Sequence, residues 1–257
     1  MSQSNFSRFF LLAVAIFGAA FSASAAERRF AFTYEATTAP KGTVELENWV
    51  TWRHTDAGSG DDSEVFRFRH ELEFGVTDRL QVGLYLLDWQ YDDKATDKKS
   101  EWLSSGVEVI YNLTNPTTDF IGSAIYGEVL FGHDSLKVEG KLLLQKNFGP
   151  VRIVYNAIVE SEWEGEEFGN FSEENGELAQ TLAVSWDVNK SFSVGAEMLH
   201  EIELPDWAEA SDSVVYAGPN ASVRFGRFFA TATALFQLTD VDGEPDTQVR
   251  LITGIHF

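Results

Sequence analysis

Residues 64–76 read EVFRFRHELEFGV. Phe66, Phe68, His70, Leu72 and Phe74 share one parity, and Arg67, Arg69, Glu71 and Glu73 share the other. Period-2 alternation over this length is the mark of an extended strand. Four charges on one face would disrupt an ordinary sandwich core. They suit a wall whose charged face meets a wet lumen and whose apolar face meets lipid.

The pattern recurs along the chain and predicts twelve strands: 43–54, 64–76, 79–91, 101–113, 119–131, 136–148, 150–163, 176–187, 191–203, 212–225, 227–239 and 247–257. Each is long enough for a tilted membrane strand, which needs about 9–11 residues. Globular strands are nearer about 5–6. Connections alternate in length. Thr77-Asp78, Asn115-Pro116, Gly149, Asn189-Lys190 and Gly226 read as tight turns. The stretches 55–63, 92–100, 164–175, 204–211 and 240–246 read as longer acidic loops, with 132–135 the short member. Short turns at one rim and long loops at the other are the asymmetry of outer-membrane barrels. An even strand count puts both termini on the turn side. The expected fold is an all-β, antiparallel, up-and-down transmembrane barrel over 43–257, with an N-terminal periplasmic segment at 26–42.

Parity also predicts an aromatic girdle. Phe74, Tyr111, Phe148, Trp186, Phe225 and Phe257 fall on the outward parity at the turn-side strand ends. Amphipathic rings rest well at the headgroup level.

The first 25 residues read as a secretory signal peptide, in which Arg8 precedes the apolar run FFLLAVAIFGAA and Ala23-Ser24-Ala25 forms the cleavage site. The apolar run is too short to span a bilayer as a helix. Localisation to the outer membrane of a Gram-negative cell follows. The 257 residues carry 40 Asp+Glu against 19 Lys+Arg, a formal charge of −21. That balance excludes phosphate-backbone binding, so no nucleic-acid partner is expected. The absence of Cys excludes disulfides, thiolate zinc, iron–sulfur clusters and a lipoprotein anchor.

The segment FAFTYEATTAPKGTVELENWVTWR (30–53) and the hairpin FGVTDRLQVGLYL (74–86) resemble uncharacterised Gram-negative outer-membrane barrels. These include the transporter group linked to meta-pathway phenol degradation. The resemblance implies a channel or transporter for small molecules. The closing QVRLITGIHF resembles the terminal strand that the barrel assembly machinery recognises. Other expected partners are outer-membrane lipid and lipopolysaccharide.

Parity assigns to the lumen the acidic residues Glu45, Glu47, Glu71, Glu73, Glu108, Glu128, Glu139, Glu160 and Glu197. The basic set is Arg67, Arg69, Lys137, Lys141, Arg152, Arg224 and Arg250, with Tyr85, Trp102, Tyr126 and Tyr216 among them. The acidic majority predicts a mild cation preference in any pore. A small passage is expected rather than a plug. Pro219 lacks a ladder donor, which predicts a bulge in strand 212–225.

No catalysis is expected. Twelve-stranded barrels include outer-membrane phospholipase A, but a lipid hydrolase needs an outward Ser beside a His base. The outward histidines are His70 and His200, and no H-x-S pair lies on an outward face. No cofactor is expected. Asp240, Asp242 and Asp246 resemble a fragment of a calcium loop without its downstream Glu, a weak metal candidate. The alternative to a channel is a non-conducting barrel that acts through its acidic loops.

Overall fold

The structure is a computed structural model that describes residues 28–56, 62–94 and 97–257. The expected signal peptide and the middle of the first acidic loop lie outside the described residues. Twelve strands form: β1 (Val44–Thr55), β2 (Ser63–Thr77), β3 (Leu80–Lys94), β4 (Asp97–Thr114), β5 (Gly122–Phe131), β6 (Ser135–Phe148), β7 (Val151–Glu167), β8 (Asn170–Asn189), β9 (Phe192–Pro205), β10 (Val214–Phe225), β11 (Phe228–Gln237) and β12 (Thr247–His256). Each pairs antiparallel with its sequence neighbours, and β1 closes on β12 from Glu45↔His256 to His54↔Thr247. Closure leaves no free edge. Phe257 N donates to Val44 O at 2.8 Å, extending the seam by one bond. No helix among the described residues is long and apolar enough to cross a membrane, which says nothing of a barrel.

The girdle residues sit at the turn rim, where Phe74 opposes Val44, Tyr111 opposes Leu80 and Trp186 opposes Val151. The outer wall carries further cross-strand aromatic packing. Phe68 and Trp89 are direct partners with rings stacked at 4.2 Å.

Several expectations are corrected. The acidic stretch 164–175 is no loop. β7 and β8 continue through it to a turn at Phe168-Gly169, with Glu164 opposite Glu173. The β4–β5 connection is longer than a tight turn, because Asn115 Oδ1 accepts from Thr117 N and Asp119 Oδ2 accepts from Asn115 N. Pro219 causes no register shift; it stands opposite Ala196 within an unbroken β9–β10 ladder. Bulges lie elsewhere. The β2–β3 register shifts between His70↔Leu87 and Glu71↔Tyr85, which turns Asp88 inward. A second shift, between Asp88↔Ser104 and Trp89↔Trp102, turns Trp102 outward beside Trp89, 44% exposed, and not into the lumen. One extra residue in a strand exchanges its two faces.

The N-terminal segment is not outside the barrel. Residues 28–39 run through the lumen, with Phe30, Ala31 and Ala36 fully buried. The apolar core of the molecule is the packing of Ala31, Phe32, Tyr34 and Ala36 against Trp49, Ile110, Tyr126, Leu143, Leu199 and Phe229 of the inner wall.

Candidate functional site

The segment has no strand partner, so its backbone must find donors and acceptors elsewhere. Side chains of the wall supply them. Glu197 of β9 accepts from the amides of Ala31, Phe32 and Thr33 at 2.8, 2.9 and 2.8 Å. Asn156 of β7 accepts from Tyr34 N at 2.8 Å and donates to Tyr34 O at 2.9 Å, which mimics a strand partner. Gln145 accepts from Ala36 N, and Gln81 accepts from Ala39 N, both at 2.8 Å. Thr231 and Ser222 donate to Arg28 O at 2.6 and 3.2 Å. At the turn rim Asp187 gathers Arg29, Arg152 and Arg224.

Cavities lie on both sides of the segment. On the loop side is a basin of about 200 Å³ whose floor is Phe32 and Tyr34. On the turn side is a cavity of about 40 Å³ lined by Arg28, Thr33, Glu35 and Thr37 of the segment, and by Glu45, Glu47, Glu73 and Gln81 of the wall. The aromatic floor is clamped by cations. Arg250 lies 4.1 Å from the Phe32 ring centroid, Lys141 lies 4.3 Å from that of Tyr34, and Arg28 lies 4.4 Å from both Tyr34 and Trp49. The protein's own chain thus occupies the lumen where a small passage is expected.

The basin wall has two electrical sides. Arg53, Arg67, Arg69 and Arg250 come from β1, β2 and β12. Asp88, brought inward by its bulge, is held by Arg67 Nη2 at 2.6 Å and Arg69 Nη2 at 2.9 Å. The opposite side, β5 to β9, is acidic, and its glutamates belong to a longer row set by the strand register. Glu45 stands opposite Glu73, Glu73 opposite Gly83, Gly83 opposite Glu108, Glu108 opposite Glu128, and Glu128 opposite Glu139. The row continues as Glu139↔Glu160, Glu160↔Glu177 and Glu177↔Glu203. It thus visits nine consecutive strands and meets glutamate on all but β3. Because barrel strands are staggered, this row climbs from the turn rim at β1 to the loop rim at β9. Like charges directly opposite one another are unfavourable. Lys137 offsets part of that with Glu160 at 2.7 Å and Glu162 at 3.0 Å, and Lys141 with Glu139 at 2.8 Å. Tyr34 crosses the row at Glu108, with its hydroxyl 3.4 Å from Glu108 Oε2. Glu45 and Glu73 then lie in the turn-side cavity, and Glu128, Glu139, Glu160 and Glu177 in the basin.

At the lower end of the row the carboxylates crowd. Glu71, Glu73 and Glu108 have oxygens within 4.8 Å of one another, as do Glu45, Glu47 and Glu73. Two unit charges at that separation repel by about 3.5 kcal/mol at an effective dielectric of about 20. Asp240, Asp242 and Asp246 form no such group among the described residues. Asp246 instead accepts from Asp56 N at 2.6 Å.

Of the parity-assigned lumen residues, Trp102 alone faces outward. Glu197 holds the N-terminal segment directly, Arg152 and Arg224 share Asp187 with Arg29 of that segment, and Tyr216 is buried near Glu244. Asp88, Asn156, Gln145 and Gln81 are inner-wall residues that the parity reading passed over. Asn156, Gln145 and Gln81 carry no charge, and polar amides on the inward parity were the available signal. A further grouping lies on the outer wall. His200 Nε2 is 2.8 Å from Ser213 Oγ, and His200 Nδ1 is 2.8 Å from the Gln180 amide. His70 pairs instead with Asn48 at 2.8 Å.

Closed antiparallel strands, an inward charged face and a turn rim ringed with aromatics define a twelve-stranded barrel of the outer-membrane type. The chain belongs to the family of unknown function DUF6662, whose model matches residues 22–250. That family's description is not the phenol-degradation group that segments 30–53 and 74–86 resemble. Among solved structures the chain is similar to the NanC porin, with a TM-score of 0.55, 9% identity, and coverage of 82% of this chain and 98% of that one. It is also similar to the translocator domain of the autotransporter NalP from Neisseria meningitidis, with a TM-score of 0.56, 10% identity, and coverage of 84% and 88%. At these identities the likeness is one of fold. No curated protein matches the sequence.

Proposed function

We propose that the protein is an outer-membrane channel for small charged solutes, mildly cation-preferring and held closed by its own N-terminal segment. The carrying observation is the row of opposed glutamates that climbs the lumen wall and is crossed by Tyr34 at Glu108. A fold could satisfy its strands without eight glutamates in register; a path for cations uses them. The arginines of β1, β2 and β12 face that row and temper the preference. The hooks on the segment are side-chain hydrogen bonds and not a strand ladder, so undocking it leaves every strand pair intact. The barrel surface rests in outer-membrane lipid and lipopolysaccharide, and the terminal β12 presents Phe257 to the assembly machinery.

The test is planar-bilayer conductance of the refolded barrel with and without residues 28–39. The intact protein is expected to be mostly closed, and the shortened barrel open with a reversal potential on the cation side. A shortened barrel that folds but stays silent would leave the non-conducting reading, in which the loops act.

One observation favours a second reading, a lipid hydrolase. Ser213, His200 and Gln180 share the outer wall one pleat beyond Phe236, a height that suits lipid headgroups. Polar side chains facing lipid are costly and tend to be functional. Gln180 Nε2 faces His200 Nδ1 and Gln180 Oε1 accepts from the Tyr155 hydroxyl at 3.0 Å; reversing that amide would hold Nδ1–H and leave the Nε2 lone pair facing the serine proton. Phospholipid hydrolysis that disappears in Ser213→Ala would establish this reading, and its absence in the intact barrel would end it.

A further inference from the structure

We propose that Glu71, Glu73 and Glu108 hold one hard divalent cation, of the calcium or magnesium class, at the turn-side end of the glutamate row. The site stands whether or not the barrel conducts. The neighbouring carboxylates show what compensation looks like here. Glu47 takes Arg28 at 3.1 Å and Trp49 Nε1 at 2.7 Å. Glu45 faces His256 Nδ1 at 2.6 Å, and Glu128 accepts from Tyr126 at 2.8 Å with Arg69 at 3.6 Å.

Glu71 has no such partner. Its side chain is fully buried, and neither of its oxygens meets a donor among the described residues. Glu108 is equally buried; Oε2 accepts from the Tyr85 hydroxyl at 2.5 Å, while Oε1 has no donor. The guanidinium nearest Glu73 is Arg28, at 3.7 Å and already engaged by Glu47. Buried carboxylates without donors or a counter-charge are strongly unfavourable. A cation among the three supplies the counter-charge and ligates the Glu71 and Glu108 oxygens that meet no donor.

The backbone makes room for this arrangement. Gly83 stands opposite Glu73 on one side and Glu108 on the other, the one position of the row without a side chain. A Cβ there would lie 2.3 Å from Glu71 Oε1 and 2.5 Å from Glu108 Cγ. The missing side chain is the space into which Glu71 leans from the neighbouring level. The donors are all oxygens, which select hard ions over zinc or copper. Glu73 also lines the turn-side cavity, which gives the ion a route from that rim.

Terbium titration of the refolded full-length barrel tests the proposal. Tyr85 lies against Glu108, so tyrosine excitation should sensitise a bound terbium ion. The expected result is one terbium ion per barrel, displaced by calcium. Glu71→Gln and Gly83→Ala should each weaken it about 10- to 100-fold. Glu166→Gln combined with Glu167→Gln should leave it unchanged, which separates the site from the acidic hairpin tip. Gly83→Ala keeps every carboxylate, so it decides the matter even where Glu71→Gln fails to fold. No saturable binding to the folded wild type would mean that the carboxyls hold protons instead, and would overturn the proposal. So would unchanged affinity in Gly83→Ala, or loss of binding only in the hairpin-tip variant.

Discussion

Glu197→Ala should undock the N-terminal segment without unfolding the barrel. The carboxylate takes three consecutive amides, those of Ala31, Phe32 and Thr33, all buried with it. It is itself held by Thr233 Oγ1 and by Asn220 Nδ2 at 3.3 Å. A buried donor left without an acceptor costs about 1–3 kcal/mol. Three of them, with water taking part of the load, give a loss of about 3–6 kcal/mol in docking free energy. At about 1.4 kcal/mol per tenfold, the undocked population rises roughly 10²- to 10⁴-fold. Two readouts check this: open probability in a planar bilayer, and hydrogen exchange at residues 31–33. Both should rise, while the heat-modifiable migration of the barrel is retained. Glu197→Gln keeps one acceptor oxygen and should fall between wild type and Glu197→Ala. Wild-type exchange protection at residues 31–33 in Glu197→Ala would refute the reasoning, because the hooks would then not hold the segment. Raised exchange without conductance would keep the docking argument and remove the gate.

Phe257→Asp should reduce the yield of heat-modifiable barrel in membranes, since it puts a charge where the Phe257 ring sits at the turn-side rim. Asp88→Asn should lower the denaturant midpoint of the detergent-solubilised barrel by an amount equivalent to about 3–5 kcal/mol, because Arg67 and Arg69 lose a fully buried counter-ion. Asp93→Asn, which breaks the exposed Lys98 pair, should leave that midpoint unmoved. In a barrel lacking residues 28–39, Glu71→Gln with Glu73→Gln should reduce cation preference more than Glu166→Gln with Glu167→Gln. Reversal potentials across a KCl gradient read this, and both effects should fade toward 1 M salt, where screening acts over about 3 Å. Anion selectivity would mean that the arginine side sets the field.

The twelve strands, their faces and the turn-side girdle were legible because they rest on a local property. Alternation at period 2 needs only each residue and its neighbours, and one buried face enforces it. Phe74, Tyr111 and Trp186 reach the same rim by the same parity that sends Glu73 and Glu108 inward. Strand ends were less secure at the acidic tips. Glu164 and Glu173 look like loop residues by charge, yet strands that project beyond the wall have solvent on both faces and tolerate charge on either.

What only the tertiary structure decided depends on partners distant in sequence. Residues 28–39 show nothing by themselves that marks a plug. Their amides are satisfied by Glu197, Asn156, Gln145 and Gln81, from four strands that only closure brings around one axis. Two bulges changed the faces of Asp88 and Trp102, because parity counting carries every later residue to the wrong side after one insertion. The glutamate row is of the same kind. Each member was recognisable as an inward acid, but their direct opposition from Glu45 to Glu203 is a property of register and stagger. The donor-less state of Glu71 beside Gly83 belongs there too, since whether a buried charge is compensated depends on what the neighbouring strands place against it.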